Sequence, residues 1–325
     1  MAISAERAKQ HVDEHCARLS AYPRNRNWPR YLFHTAQLEV VDQILRTGKL
    51  IPRKQQSEIL HDVANPGAVA NNPNAHQYVR FYFRPKTGFH LRTEGIKCLG
   101  DPNRLPRQMS VPIMLVFGSE ALLCQDGVGF TTGNLASQYS TPGFDEEFFD
   151  SIPFNLVYHD QALPQERIRE VHFHRMAEVV YPGELQLNGK LKRIVCRTPF
   201  DRISLLSGLG DIAQNYKDLV TVEQIFGSSF FHWGLYIKSL KVVENTLYFS
   251  VHIPRVKPAS QKYSIEVRQI VAGEVVYRSA GHVDDSAWRI QVGPFEGQTN
   301  STWEIYLEGV IAFKGPVPTG KSQIF

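Results

Sequence analysis

The sequence predicts a mixed α+β domain followed by a smaller all-β sandwich. At 325 residues the chain exceeds the usual size of a single domain, so two domains are expected. Helical and strand patterns are intermixed up to about residue 225, whereas from Leu240 onward short β-like stretches alternate with turns and helical periodicity is absent. We therefore divide the chain into domains 1–230 and 231–325, and expect an immunoglobulin-like sandwich for the second.

The first domain is predicted to begin with a helix. Residues 1–20 are rich in charged side chains and predict a polar helix. Arg30–His34 predicts a strand that leads into a helix from Gln37 to Thr47, which stops at Gly48, a typical helix C-cap residue. The apolar residues that recur at helical spacing in this second helix are Leu38, Val41, Ile44 and Leu45.

Further strands and loops are predicted for the rest of this domain. The predicted strands are Val79–Phe83, Val111–Gly118, Glu170–His174 and Leu191–Arg197. Residues 64–76 are almost all residues that break helices and strands, and they predict a loop. Residues 127–141 are rich in Gly, Thr, Ser and Asn, so we expect a loop or a short helix near the surface.

The second domain shows the spacing of short strands and turns that is typical of β-sandwiches. Its β-like stretches are Lys241–His252, Tyr263–Ile270, Glu274–Arg278, Trp288–Val292 and Trp303–Phe313. Turns such as Ala272-Gly273 and residues 294–297 separate them. No catalytic group is recognisable in this part of the sequence, so we expect it to bind a partner or to brace the first domain.

Composition narrows the class of protein. There is no run of 18 apolar residues that would predict a membrane-spanning helix, and the first residues lack the apolar stretch of a secretory signal. The four cysteines show no C-x-x-C spacing, which argues against a zinc site or a disulfide framework and fits a reducing compartment. They are Cys16, Cys98, Cys124 and Cys196. We therefore expect a cytoplasmic protein without a membrane partner.

Positive charge is concentrated in one third of the chain. Between Arg24 and Arg107 there are fourteen basic residues and six acidic ones, a net charge of +8, whereas the whole chain carries only +4. Such a segment could bind the phosphates of a nucleic acid or of a dinucleotide. A solvated basic surface without a ligand explains the charge equally well.

Three short segments contain the candidate site residues. Tyr31–Thr35 ends a predicted strand with His34. Val79–Thr87 joins an aromatic strand to the basic turn Arg84-Pro85-Lys86-Thr87. The third segment, His172–Pro182, contains Glu178 after a histidine pair and Arg175.

Each of these residues also has an ordinary structural interpretation. His34 could be a hydrogen-bonded structural histidine at the end of its strand. Tyr82 and Phe83 alternate on a strand, so one ring would face the core and the other the opposite side of the sheet. Glu178 could be a surface glutamate beside Arg175 and Arg169.

The histidine pair raises an alternative site. On a strand, His172 and His174 would point to the same face and could bind a metal ion, as in a metal-dependent hydrolase. The sequence contains neither a helical His-Glu-x-x-His motif nor an obvious carboxylate cluster to complete such a site. We therefore expect no metal.

Four segments, taken in order, resemble the DarT-type nucleic-acid ADP-ribosyltransferases, toxins of bacterial toxin–antitoxin and phage-defence systems. They are Phe33-His34-Thr35 with the helix to Gly48, Val79–Thr87, Phe130–Ala136 and Arg175–Val180. The resemblance covers roughly residues 30–205, and its most specific parts are Arg-x-Ala-Glu followed by two aliphatic residues and Tyr-Phe-x-Pro followed by a basic residue. The C-terminal sandwich lies outside it.

The resemblance implies an ADP-ribosyltransferase-like fold for the first domain and NAD as the donor. ADP-ribose would pass to a base in single-stranded DNA or RNA, because the attacking atom lies on the pairing edge of the base and is inaccessible in a duplex. Cleavage of the bond to nicotinamide passes through an oxocarbenium-like state, as sugar hydrolysis does. Glu178 would be the catalytic residue that stabilises this charge, holds the ribose 2′-hydroxyl and accepts a proton from the attacking group.

The remaining roles also follow from the resemblance. The expected cofactor-binding residues are His34, Thr35, Tyr82 and Arg53, with His34 on a ribose hydroxyl, Tyr82 on nicotinamide and Arg53 on the diphosphate or the substrate. The expected substrate-binding residues are Arg84, Lys86 and Arg175. The chain departs from the family pattern at Lys86, which replaces an arginine, and at Gly88, which replaces a proline. These departures leave open which base is modified.

Two other functions remain open from the sequence. A protein ADP-ribosyltransferase would use the same donor chemistry on a different acceptor. A catalytically idle protein could bind nucleic acid or a partner without cleaving NAD. If the first interpretation holds, an antitoxin protein is the expected partner.

Overall fold

The computed structural model describes residues 3–56, 60, 73–102, 104–223, 229–254, 262–284, 288–291 and 301–318. Its helices are α1 Ala5–Arg18, α2 Leu38–Thr47, α3 Gly88–Thr93, α4 Ser119–Leu123, α5 Glu146–Ser151, α6 Phe154–Val157, α7 Ile168–His174 and α8 Pro199–Leu209. No helix in these ranges is long and apolar enough to cross a lipid bilayer.

The amino-terminal part is built on a mixed sheet. Its strands are β1 Tyr31–Gln37, β2 Lys49–Leu50, β3 Tyr78–Tyr82, β4 Pro112–Gly118, β5 Gly129–Phe130, β6 Glu178–Pro182, β7 Leu185–Gln186, β8 Leu191–Cys196 and β9 Val220–Val222. Seven of them form one sheet in the order β5-β6-β3-β1-β4-β8-β9, and β2 pairs separately with β7. Neighbours are antiparallel, except that β8 and β9 are parallel.

The centre of this sheet is asymmetric. β1 pairs with β4 along its whole length, whereas it meets β3 at Phe33 opposite Tyr82. β4 is buried over all its residues except the last, Gly118, so the main hydrophobic core surrounds it. β1 is therefore paired far less extensively with β3 than with β4.

The helix after β1 agrees with the sequence prediction. α2 buries Leu38, Val41, Ile44 and Leu45, the residues that recur at helical spacing. It ends at Gly48, whose φ of 67° lies in the left-handed region that glycine adopts without strain. The prediction of a helix from Gln37 to Thr47 is confirmed, with Gln37 as its N-cap residue.

The predicted strand at Glu170–His174 is wrong, because this segment belongs to the helix α7. It continues the 3-10 turn Gln165–Arg167 and buries only Val171 among its seven residues. A short stretch of alternating polar and apolar residues fits one helical turn as well as a strand. Residues two apart on a helix diverge by about 200°, so His172 and His174 do not share a face.

Most other predicted elements are present with shifted ends. The predicted strands around Val79, Val111 and Leu191 correspond to β3, β4 and β8. The loop predicted at 64–76 lies outside the described residues up to 72, and Pro73–Gln77 is a 3-10 turn. The predicted loop at 127–141 contains the short strand β5 and is otherwise made of turns and irregular backbone.

The carboxyl-terminal part is a sandwich of two antiparallel sheets, as expected. Its strands are β10 Tyr236–Val243, β11 Thr246–His252, β12 Tyr263–Val271, β13 Glu274–Val283, β14 Trp288–Gln291, β15 Thr302–Leu307 and β16 Val310–Gly315. The sheets have the orders β10-β11-β14 and β13-β12-β15-β16, and their inner faces share one hydrophobic core. The turn predicted at 294–297 lies outside the described residues.

Two long β-like stretches are hairpins rather than single strands. β10 and β11 turn at Glu244, and β15 and β16 turn at Glu308. Both glutamates have a φ of 52°, in the left-handed region. A glutamate is an unusual residue for this conformation, which is why the sequence did not reveal the turns.

The two parts are joined by shared packing and by a buried carboxylate. Ile96 and Phe200 from the first part lie in the core of the sandwich. Both carboxylate oxygens of Glu94 accept backbone N–H groups, from Phe231 and His232, at 2.7 Å each. The chain thus passes from one core to the other just after residue 230, and the domain division at 230/231 stays a prediction.

Candidate active site

The candidate site lies where β1, β3 and β6 run side by side. Tyr82 on β3 is opposite Glu178 on β6 and opposite Phe33 on β1. His34 is the next residue on β1, and its ring contacts the carbonyl oxygen of Arg80 on β3. Three of the predicted site residues thus lie on or against β3, although they are far apart in the sequence.

Glu178 is completely buried, with 0 % of its side chain exposed. Arg80 forks onto its carboxylate, with Nε donating to Oε2 at 2.6 Å and Nη2 donating to Oε1 at 2.5 Å. Tyr82 stands directly opposite Glu178 on the neighbouring strand. The cation of Arg80 offsets the cost of burying the Glu178 carboxylate, because an unpaired charge in the interior is strongly unfavourable.

The backbone of Glu178 is fixed as firmly as its side chain. Its N–H donates to Oγ1 of Thr131 at 2.9 Å, and its carbonyl accepts from the N–H of Thr131 at 2.9 Å. Oγ1 of Thr131 in turn donates to the carbonyl of Gly133 at 2.6 Å. The loop after β5 therefore holds the position from which the carboxylate projects.

Arg80 is a site residue that the sequence analysis did not single out. It is 27 % exposed, and its Nη2 also donates to Oδ1 of Asn134 at 3.0 Å. Although burial acts to lower the pKa of Arg80, the charge of Glu178 and the hydrogen bonds to it raise that pKa above its ordinary value. The sequence did contain a signal for Arg80 as a site residue. It lies two residues before Tyr82 on one strand, and such residues share a face.

His34 is oriented by the backbone of the same residue. Its Nδ1 lies 3.0 Å from the carbonyl oxygen of Arg80. Because a carbonyl oxygen only accepts hydrogen bonds, Nδ1 carries the proton and Nε2 of the neutral ring is an acceptor. Burial lowers the pKa of His34, which favours the neutral ring. Thr35, next on β1, is half-buried.

Tyr82 and Phe83 point in opposite directions, as their alternation predicts. Phe83 is buried and its ring packs edge-to-face against Phe154 with centroids 5.2 Å apart. Tyr82 is half-buried, and its ring lies 6.5 Å from that of Phe89. Burial, followed by the neighbouring charge of Glu178, raises the pKa of the Tyr82 phenol, so this hydroxyl stays a hydrogen-bond donor.

Arg84 does not occupy the surface position expected of a substrate-binding residue. It is 1 % exposed, its guanidinium stacks 4.6 Å from the ring of Trp28, and it donates to the carbonyls of Val157 and His159 and to Asp160. Burial, opposed by Asp160, lowers the pKa of Arg84 to about 10. These contacts tie the turn after β3 to the segment after α6, so we correct its role to a structural one.

Lys86 lies in this turn, and Arg175 contacts the same carbonyl of His159 as Arg84 does. Arg175 is half-buried, its Nε donates to the carbonyl of His159 at 2.8 Å, and burial lowers its pKa. Lys86 is half-buried with its Nζ 5.6 Å from the ring centroid of Phe231. Arg53 lies on the 3-10 turn Arg53–Gln55 after β2 and is half-buried.

One histidine of the α7 pair contacts the backbone. Nδ1 of His174 lies 2.9 Å from the carbonyl oxygen of Thr132. Within the described ranges, no group of three or more His, Cys, Asp or Glu side chains is arranged to hold a metal ion. The prediction that this pair shares a strand face is wrong. The metal alternative depended on that shared face, so it loses its geometric basis.

The match of a family model assigns the protein to the ADP-ribosyltransferases. The family model described as ssDNA thymidine ADP-ribosyltransferase, DarT, matches residues 33–222, which is more than half of the chain. The protein belongs to the DarT family, and the resemblance seen in the sequence is confirmed. No curated protein sequence matches it.

Solved structures of the family are similar to part of the chain. The Thermus sp. 2.9 DarT in complex with NAD+ is 16 % identical with a TM-score of 0.45, over 60 % of this chain and 96 % of that one. The same protein in complex with ADP-ribosylated ssDNA is 15 % identical with a TM-score of 0.47, over 60 % and 94 %. Thermosipho africanus DarTG in complex with ADP-ribose is 16 % identical with a TM-score of 0.42, over 59 % and 49 %.

Proposed function

We propose that this protein transfers ADP-ribose from NAD to a thymidine base in single-stranded DNA. The observation that supports this most is the buried carboxylate of Glu178, paired with Arg80 and opposite Tyr82, in a member of the DarT family. The catalytic role is assigned to Glu178. The family description supports DNA and thymidine as the acceptor.

The proposed reaction needs one carboxylate and no metal. The bond between the ribose C1′ and the nicotinamide nitrogen breaks, and the neutral nicotinamide leaves with the bonding electron pair. Glu178 stabilises the oxocarbenium-like ribose that results. An atom on the pairing edge of the base bonds to C1′, and the proton it loses passes to the carboxylate and then to solvent.

The predicted cofactor-binding residues have the properties needed to hold the donor. Nε2 of His34 is an acceptor and suits a ribose hydroxyl, and the neighbouring hydroxyl of Thr35 can add a second contact. The half-buried ring of Tyr82 suits the nicotinamide face, because it stands opposite Glu178 on the neighbouring strand. Arg53 is assigned to the diphosphate, since a guanidinium binds phosphate oxygens bidentately.

The acceptor strand is assigned to the surface beside Lys86. The side chain of Trp233 is 63 % exposed there, with its ring 6.3 Å from that of Phe231, over which Lys86 lies. An exposed indole next to a lysine suits an unpaired base and its phosphate. Arg175 contributes by holding the segment around His159 rather than through an exposed charge.

We further propose that the enzyme acts as the toxin of a toxin–antitoxin or phage-defence pair, as the resemblance of its motifs implies. The C-terminal sandwich then binds the antitoxin or braces the transferase domain. Expression in bacteria should be toxic, and Glu178→Gln should remove the toxicity. Equal toxicity of both forms would contradict this role.

The acceptor is tested by incubation with labelled NAD and separate pools of acceptor. We expect label on a single-stranded oligodeoxynucleotide that contains thymidine, and none on the same strand without thymidine or on its duplex. Label on RNA would replace DNA as the acceptor, and label on protein would favour a protein ADP-ribosyltransferase. Binding of DNA without any release of nicotinamide would favour a catalytically idle binding protein.

A further inference from the structure

We propose that Arg80 is a positioning residue for the transfer reaction, holding the Glu178 carboxylate charged and correctly oriented toward the ribose. This inference rests on the proposed function, because it assigns Arg80 a role through Glu178. Arg80 lies on β3 and Glu178 on β6, and their positions depend on the pairing of these two strands.

The contact is a fork with two parallel bonds. Nε and Nη2 of Arg80 reach separate oxygens of Glu178 at 2.6 Å and 2.5 Å. The planar guanidinium fixes the plane of the carboxylate in this geometry, whereas a lysine would supply charge at one point. The fork therefore determines which direction the remaining lone pairs of Glu178 face.

Arg80 is itself held from its outer side. Oδ1 of Asn134 accepts from Nη2 of Arg80 at 3.0 Å and from the backbone N–H of Ala136 at 2.8 Å. The loop that carries Asn134 also carries Thr131, which bonds the backbone of Glu178. Arg80 therefore bonds both Glu178 and Asn134, and the loop of Asn134 returns to the backbone of Glu178 through Thr131, so the guanidinium has little freedom to leave.

Burial makes the cation necessary. The Glu178 side chain is 0 % exposed, and an isolated buried carboxylate is strongly disfavoured relative to its neutral acid. A neutral acid would stabilise a positively charged ribose poorly. Loss of Arg80 should therefore impair the chemical step itself rather than the binding of NAD.

The two functions of Arg80 can be separated by substitution. Its carbonyl oxygen orients His34, and its guanidinium orients Glu178. A side-chain substitution leaves the carbonyl in place, so the ribose contact of His34 should persist. The expected pattern is an affinity for NAD that changes less than threefold and a rate of NAD cleavage that falls about 100-fold, the scale of removing one charge-stabilising donor.

The test uses the full chain with Arg80→Ala and Arg80→Lys, and it measures nicotinamide release separately from transfer to DNA. Arg80→Lys should retain part of the rate, since it keeps the charge but loses the fork. Millimolar guanidinium, far below denaturing concentrations, should restore part of the rate of Arg80→Ala. The matched control is Arg197→Ala, which removes another buried pair, with Asp201 at 3.3 Å, away from the site. It should lower stability without a response to guanidinium.

The outcomes separate this inference from the proposed function. If Arg80→Ala is folded and cleaves NAD at the wild-type rate, or loses activity without recovery in guanidinium or as lysine, the positioning role is wrong. If Arg80→Ala does not fold, Arg80→Lys tests the role instead. Its affinity for NAD should stay near that of the wild type while its rate of NAD cleavage falls. If the wild type cleaves NAD but modifies no DNA, the proposed acceptor fails while the Arg80 comparison can still be made. A wild type that cleaves no NAD would overturn both.

Discussion

The imidazole Nδ1 of His34 lies 3.0 Å from the backbone carbonyl oxygen of Arg80, on the neighbouring strand. This hydrogen bond fixes the tautomer of the ring. It leaves Nε2 as a hydrogen-bond acceptor that points away from β3. His34 lies in the middle of β1 rather than at the predicted end of the strand. A structural hydrogen bond at Nδ1 leaves Nε2 available for the proposed ribose contact, so the two interpretations that the sequence left open are compatible.

His34→Ala should weaken the binding of NAD about tenfold, the value of one hydrogen bond to a ribose hydroxyl. The rate at saturating NAD should change less, because the substitution leaves Glu178 and Arg80 in place. Calorimetric titration with NAD gives the affinity, and nicotinamide release gives the rate. A variant with unchanged affinity and a large loss of rate would place His34 in the chemical step instead.

Lys86→Ala should reduce the affinity for single-stranded DNA and the dependence of that affinity on salt. Each phosphate contact on a single strand contributes a slope of about 0.7 in the logarithm of the binding constant against the logarithm of salt. The slope should therefore fall by about that amount, while NAD cleavage without DNA is unchanged. Fluorescence anisotropy over a range of salt concentrations measures it.

Two variants serve as controls for the Lys86 experiment. Trp233→Ala should lower the affinity for DNA without altering the salt slope, because an indole stacks on bases and carries no charge. Lys54→Ala removes an exposed lysine on the 3-10 turn after β2, and it should leave affinity and slope unchanged. Equal slopes for Lys86→Ala and the wild type would show that the strand does not pass Lys86.

Arg84→Ala should destabilise the protein and leave the salt dependence of DNA binding unchanged. The side chain is buried against Trp28 and bonds Asp160, so its removal leaves a cavity and an unpaired carboxylate. We expect a loss of about 3 kcal/mol in the free energy of unfolding. Denaturant unfolding measures this loss, and a stable variant with a reduced salt slope would restore Arg84 to the DNA surface.

Acid should lower the free energy of unfolding through two buried histidines of α1. His11 and His15 are packed against Phe154 and Tyr158, and Nε2 of His11 lies 3.0 Å from the hydroxyl of Tyr158. Burial, with help from nearby charges, lowers the pKa of His15 to about 4 and that of His11 well below its ordinary value.

The sign of this effect follows from which state binds protons. The unfolded chain takes up protons near the ordinary histidine pKa of about 6.5, before the folded protein does. The free energy of unfolding therefore has its full value above that pH, and it falls as the pH drops from about 6.5 toward 4. His15→Phe should reduce this loss between those pH values in thermal melts. A pH dependence identical to that of the wild type would show that His15 is not its source.

The sequence predicted those features that depend on local pattern. α2 has four apolar residues at helical spacing and a glycine at its end, so both its length and its buried face were predictable. The order of the motifs identified the family and pointed to His34, Tyr82 and Glu178, which the pairing of three strands then brings together.

The features that were missed depend on contacts between distant segments. Arg80 reaches Glu178 only because β3 pairs with β6 in one register, and a local pattern does not fix that register. Arg84 stands in a turn that looks exposed, but Trp28 and the segment after α6 cover it. α7 is too short for its periodicity to distinguish a helix from a strand.

The most direct test of this account is the single-turnover rate of ADP-ribose transfer from labelled NAD to a thymidine oligodeoxynucleotide, measured for the wild type and for Glu178→Gln. The amide keeps the shape of the side chain and loses its charge, so the rate should fall on the order of 1,000-fold while NAD affinity stays near that of the wild type. Thermal melts check that the variant is folded at the assay temperature, because neutralising the partner of Arg80 should lower its melting temperature. Glu120→Gln, on the exposed side of α4, should behave as the wild type does. Transfer by a folded Glu178→Gln protein at close to the wild-type rate would contradict the assignment of Glu178 as the catalytic residue.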